Sequence, residues 1–95
     1  MSKKPPLESK LEDKCVTYAE AIGWEHIKLD LARRSWPDQL FLGYPSKVVF
    51  VEFKRLGEKA RPQQLKRHKI LRALGFSVHV IDNFEDFVNV LEDEK

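Results

Sequence analysis

Lys47-Val48-Val49-Phe50-Val51-Glu52-Phe53-Lys54 is rich in β-branched and aromatic residues and apolar on both faces until Glu52 and Lys54. That is the pattern of a central strand, covered on both sides. Side chains alternate along a strand, so Val48, Phe50, Glu52 and Lys54 point one way. An acid and a base that follow two apolar residues on one face are costly there unless paired or bound to a metal. The plainer alternative is a strand that emerges into water at its end. Glu-x-Lys alone does not decide between them.

Outward from this strand, the chain reads α-β-β-β-α-β-α. Upstream, Ser9 and Glu12 have capping-box spacing, Leu11, Cys15, Tyr18 and Ile22 recur at helical spacing, and Gly23 ends the run. Ile27, Leu29 and Leu31 alternate with Lys28 and Asp30, as in a half-buried strand. Residues 39–42 after Pro37 read as a second strand, and Gly43 to Ser46 as a turn. Downstream, Pro62 suits the first turn of a helix that Gly75 ends. A strand over 76–81 follows, then a helix capped by Asn83 with Phe84, Phe87, Val88 and Leu91 on its apolar face. The expected architecture is α/β, a mixed β-sheet flanked by helices. Its 95 residues suit a single domain, with residues 1–6 a flexible lead-in and 92–95 an acidic tail.

Composition narrows the function classes. The 42% hydrophobic content fits a folded chain rather than a disordered one. A lone cysteine, Cys15, rules out an internal disulfide, and no Cys/His cluster has zinc spacing. No apolar run is long enough to span a membrane and Met1 to Pro6 is polar, so the expected location is cytoplasmic. The net charge is only +2, yet eight of the 17 basic residues lie between Lys54 and Arg72, where Glu58 is the sole acid. Such a cluster suits a polyanion or, equally, a solvated helix face.

Pro37-Asp38 stands fourteen residues before Glu52, with a turn between them. Aspartate is a poor strand former, and its plain reading is a turn residue. The functional reading is a second carboxylate delivered beside Glu52 by a hairpin. Two carboxylates and a lysine suit a hard divalent cation and an anionic substrate.

From Leu11 to Asp82 the sequence resembles the virus-type replication-repair nuclease (VRR-NUC) domain of the PD-(D/E)xK superfamily, in its stand-alone phage and bacterial form. The resemblance rests on Glu12, RRSWPDQLFL, VVFVEFKRLG and RPQQLKRHKILRALG in that order. Ser35 stands where such proteins usually carry glycine, and Arg61 where many have serine. The resemblance implies a restriction-endonuclease-like core, with Glu12, Asp38, Glu52, Lys54 and Gln64 as the catalytic set. Asp38, Glu52 and the carbonyl of Phe53 would hold Mg²⁺ or Mn²⁺, and Glu12 would help with a second ion or an ordered water. Lys54 would act on the attacking water and the phosphate. Arg33, Arg34, Lys59, Arg61, Lys66 and Arg67 are candidates for phosphate contacts. His68, on the helix face of Gln64 and Leu71, reads as structural or phosphate-contacting.

The expected activity is endonucleolytic hydrolysis of branched DNA, with a four-way (Holliday) junction resolvase as the sharpest form. Alternatives are a flap- or end-directed nuclease, a non-catalytic nucleic-acid-binding module of the same fold, and a protein-binding phage component. Trp36, Phe41 and Tyr44 near the hairpin suggest a homodimer interface.

Overall fold

The computed structural model describes residues 6–29 and 35–93, with side chains from Lys10 onward. Its elements are α1 (Pro6–Ala21), β1 (Glu25–Lys28), β2 (Gln39–Gly43), β3 (Lys47–Phe53), α2 (Pro62–Ala73), β4 (Ser77–Ile81) and α3 (Phe84–Asp93). The order is the expected one, and the sheet runs β1-β2-β3-β4. The first three strands are antiparallel neighbours, whereas β4 lies parallel to β3. A parallel pair needs a crossover, which α2 supplies.

The central strand separates two cores. Val49, Val51 and Phe53 face Phe41, Cys15, Ala19, Phe87 and Leu91, under α1 and α3. Phe50 meets Leu71 of α2 and Val78 on the other side, with Leu29, Trp36, Leu40 and Val48 around them. Helix ends follow local chemistry. Gly23 takes φ 94°, and the Trp24 N–H reaches the Ala19 carbonyl at 2.9 Å, closing α1. The Asn83 side chain accepts from the Asp86 N–H at 2.9 Å and so caps α3.

Several expectations need correction. Helix α1 starts at Pro6, so Ser9 lies within it and Ser9-x-x-Glu12 is no capping box. Proline is pre-shaped for a helix's first position, which moves the start upstream. Pro6 therefore leaves the lead-in, and Glu92 and Asp93 belong to α3 rather than to a tail. Strand β1 stops at Lys28, Ile27 is 51% exposed, and Leu31 lies outside the described residues. As an edge strand, β1 has a neighbour on one side only, which leaves Ile27 under-covered. Gly43 belongs to β2 rather than to the turn. A Cβ there would stand 2.7–2.8 Å from three ring atoms of Trp24, so the indole lies directly on the strand backbone. Phe41 is fully buried and Trp36 half-buried, leaving Tyr44, at 93% exposure, as the open member of the expected interface trio.

Candidate active site

Asp38 precedes β2, and the β2–β3 register pairs Gln39 with Val51. One step beyond that pair, Asp38 stands opposite Glu52 on the same face. The Phe53 N–H donates to Asp38 Oδ2 at 2.8 Å, which fixes the carboxylate against the end of β3. Pro37 is fully buried and cannot donate to a ladder, so the chain enters the sheet at this point.

Glu52 is 2% exposed. Its Oε2 accepts from Gln64 Nε2 at 2.7 Å and lies 3.7 Å from Lys54 Nζ. Oε1 has no hydrogen-bond partner among the described residues and stands 3.7 Å from His68 Nε2. Burial pushes the Glu52 carboxyl up to about 7, and the charge of Asp38 adds to the rise. Lys54, Arg61 and the Gln64 hydrogen bond pull the other way without cancelling it. Burial also lowers His68 from its ordinary value, with the charges of Arg72 and Lys54 adding to the effect. Gln64, His68 and Leu71 form the buried face of α2. His68, 1% exposed, is therefore a structural neighbour of Glu52 and not a phosphate contact.

Two facing carboxylates, one with a buried oxygen that accepts no hydrogen bond, offer oxygen ligands beside the Lys54 ammonium. Among the described residues no three His, Cys, Asp or Glu side chains are gathered into a metal cage. Mg²⁺ does not need one, because it commonly takes one or two carboxylates and completes its shell with water and phosphate oxygens. The donor set of Asp38 and Glu52 fits such an ion.

Glu12 comes from α1 and is 5% exposed. Its Oε2 accepts from Gln39 Nε2 at 2.6 Å and from Lys28 Nζ at 3.1 Å. Gln39 is the sequence neighbour of Asp38 and projects from the opposite face, so the two clusters meet through the entrance of β2.

No family model matches the chain. Over 85 residues it is 38% identical to "Putative nuclease p44" of Acyrthosiphon pisum secondary endosymbiont phage 1, covering 88% of this chain and 90% of the relative. A solved structure described as "VRR_NUC domain" superposes with a TM-score of 0.83 at 27% identity, covering 94% of this chain and 98% of that one. The chain belongs to the VRR-NUC nuclease family.

Its restriction-endonuclease-like core brings Asp38, Glu52, Lys54 and Gln64 together at one end of the VRR-NUC sheet. Lys59, Arg61 and Lys66 are exposed around α2 and its approach. Arg67 is half-buried instead, stacked 4.9 Å over the Trp36 ring, with Nε 3.5 Å from Ser35 Oγ. Arg33 and Arg34 lie outside the described residues. Sequence reasoning missed Lys28, Gln39 and His26 in their short strands and Glu20 in α1, since a lone polar residue carries no local mark of its partner. No helix of the described residues is long and apolar enough to cross a membrane.

Proposed function

We propose that this VRR-NUC domain is a divalent-metal-dependent DNA endonuclease acting on branched DNA, with four-way junctions as the preferred substrate. The observation that carries the chemistry is the Asp38–Glu52 pair, two facing acids of which Glu52 is raised first by its burial and then by the charge of Asp38, with Lys54 alongside. Asp38, Glu52 and the Phe53 carbonyl would hold Mg²⁺ or Mn²⁺. The ion, when bound, supplies positive charge at the phosphate and makes water more acidic. Lys54, 14% exposed and beside Glu52, orients the attacking water and offsets charge that builds on the phosphate oxygens. Gln64 holds Glu52 in place. Glu12 orders a water at the rear of the site. Lys59, Arg61 and Lys66 track the phosphate backbone, which positions DNA without reading its sequence.

A different observation supports the homodimer reading. Ile70 of α2, Leu74 just after it and Phe76 before the edge strand β4 are 48%, 68% and 40% exposed. Exposed apolar residues near the edge strand β4 suit a self-complementary interface. A two-fold dimer would present two sites to a junction of matching symmetry.

Labelled single strands, duplexes, flaps and four-way junctions, each with Mg²⁺, Mn²⁺ or EDTA, test the reading. Cleavage of junctions with either ion and none with EDTA is expected. DNA binding without cleavage under every condition would leave the non-catalytic module, and cutting of flaps alone would remove the resolvase form.

A further inference from the structure

Four polar side chains on the α1 side of the sheet form one hydrogen-bonded series. Glu20 Oε2 lies 2.9 Å from His26 Nε2, and His26 Nδ1 lies 3.1 Å from Gln39 Oε1. Gln39 Nε2 then reaches Glu12 Oε2 at 2.6 Å. Lys28, directly across the β1–β2 pair from Gln39, donates to the same Glu12 oxygen.

Donor and acceptor chemistry gives this series a direction. A carboxylate only accepts, so Gln39 must turn its NH₂ towards Glu12 and its oxygen towards His26. That oxygen also only accepts, so His26 Nδ1 must carry a hydrogen. Glu20, also an acceptor, faces Nε2 on the other side of the ring. Glu12 thereby sets which end of the Gln39 amide faces it, and His26 engages the other end. Reversing that amide would set an oxygen against a carboxylate that is 5% exposed.

We propose that Gln39, backed by His26, is with Lys28 a positioning residue that aims the Glu12 carboxylate for phosphodiester hydrolysis. The proposal rests on the reading of this chain as a nuclease in which Glu12 takes part. Gln39 and Asp38 are consecutive, so one short entrance to β2 places both acids: Asp38 by its own side chain, Glu12 through its neighbour's amide. Gln39 is 3% exposed and Glu12 is held by two donors, which leaves the carboxylate little rotational freedom.

The test is a double-mutant cycle on junction cleavage, with Glu12→Gln, Gln39→Leu and the pair together. Mn²⁺ calorimetry without DNA and thermal melts accompany each variant. Gln39→Leu should lower kcat about tenfold or more, with KM for DNA within about twofold, at temperatures where the variant is fully folded. The double variant should be no slower than Glu12→Gln alone, because both changes remove one device. Mn²⁺ affinity should shift equally in the two single variants. His26→Phe keeps a ring beside Phe41 but loses the donor and should also lower kcat, whereas His26→Gln, which can donate, should restore part of it. Independent, additive losses, or a fully active Gln39→Leu beside an inactive Glu12→Gln, would overturn the proposal. A wild-type chain that never cuts would defeat the nuclease reading. A fully active Glu12→Gln would remove Glu12 from the chemistry while leaving Asp38, Glu52 and Lys54 in it.

Discussion

Gln64 donates from Nε2 to Glu52 Oε2 at 2.7 Å while its own Oε1 accepts from the Arg61 N–H at 2.8 Å. Both ends of the amide are engaged, so its orientation is determined. The start of α2 thus grips the end of β3 across the crossover. Gln64→Leu should keep the fold, since the position is buried, yet lower kcat by about 10- to 100-fold through the lost hydrogen bond to a charged group. Steady-state kinetics at saturating Mg²⁺ would show it, and an unchanged kcat would remove Gln64 from the site.

Glu52→Gln and Asp38→Asn should each abolish cleavage while DNA binding survives, because both changes remove negative charge offered to the ion. Lys54→Ala should also lose cleavage but retain Mn²⁺ binding by calorimetry, since the lysine acts on water and phosphate. A Lys54→Ala variant that cuts at the wild-type rate would show the site to be misassigned.

The raised Glu52 carboxyl also predicts a pH-dependent stability. Its value rises from 4.5 to about 7 on folding, so the folded state holds this proton more tightly than the unfolded chain. The corresponding stability is present below pH 4.5 and is lost as pH rises through 7. His68, lowered on folding, works oppositely: its contribution is present above 6.5 and falls away at acid pH. Melts of wild type and Glu52→Gln in EDTA separate the two. The variant's advantage should grow from pH 5 to pH 8, to about 2–4 kcal/mol. Mn²⁺ should narrow the difference by stabilising the wild type selectively. An advantage that shrinks with rising pH would contradict the environment assigned to Glu52.

Gly43→Ala should destabilise the protein by about 1–3 kcal/mol, because its Cβ would overlap the Trp24 ring and force either the indole or β2 to shift. Urea unfolding should show a lower midpoint with an unchanged slope. Trp24→Leu should make the alanine at 43 easier to bear.

DNA affinity should fall steeply with salt, as exposed basic side chains displace counterions. Reversing Lys59 and Lys66 to glutamate should weaken binding to all sequences alike. Reversing Arg67 should cost stability as well, since its guanidinium packs on Trp36. Fluorescence anisotropy on two unrelated junction sequences, alongside melts, distinguishes these effects.

Much of this arrangement was legible from residue order because it depends on local periodicity. A period of two along residues 47–54 puts Glu52 beside Lys54 on one face, and a period near 3.6 puts Gln64, His68 and Leu71 on another. Proline and glycine mark where the elements begin and end, although Pro6 shows that a capping box can be misread when a proline lies upstream. The order αβββαβα follows from those signals. By contrast, tertiary packing alone decided that Phe41 is core and Tyr44 is open, although both are aromatic and three residues apart. It also decided that Arg67 stacks on Trp36 and that Glu12 meets Gln39 and Lys28. These contacts join residues 16 to 32 positions apart. Their existence depends on strand register and on how each helix lies across the sheet. Those quantities are set by the packing of the whole core, and a window of a few residues carries no record of them.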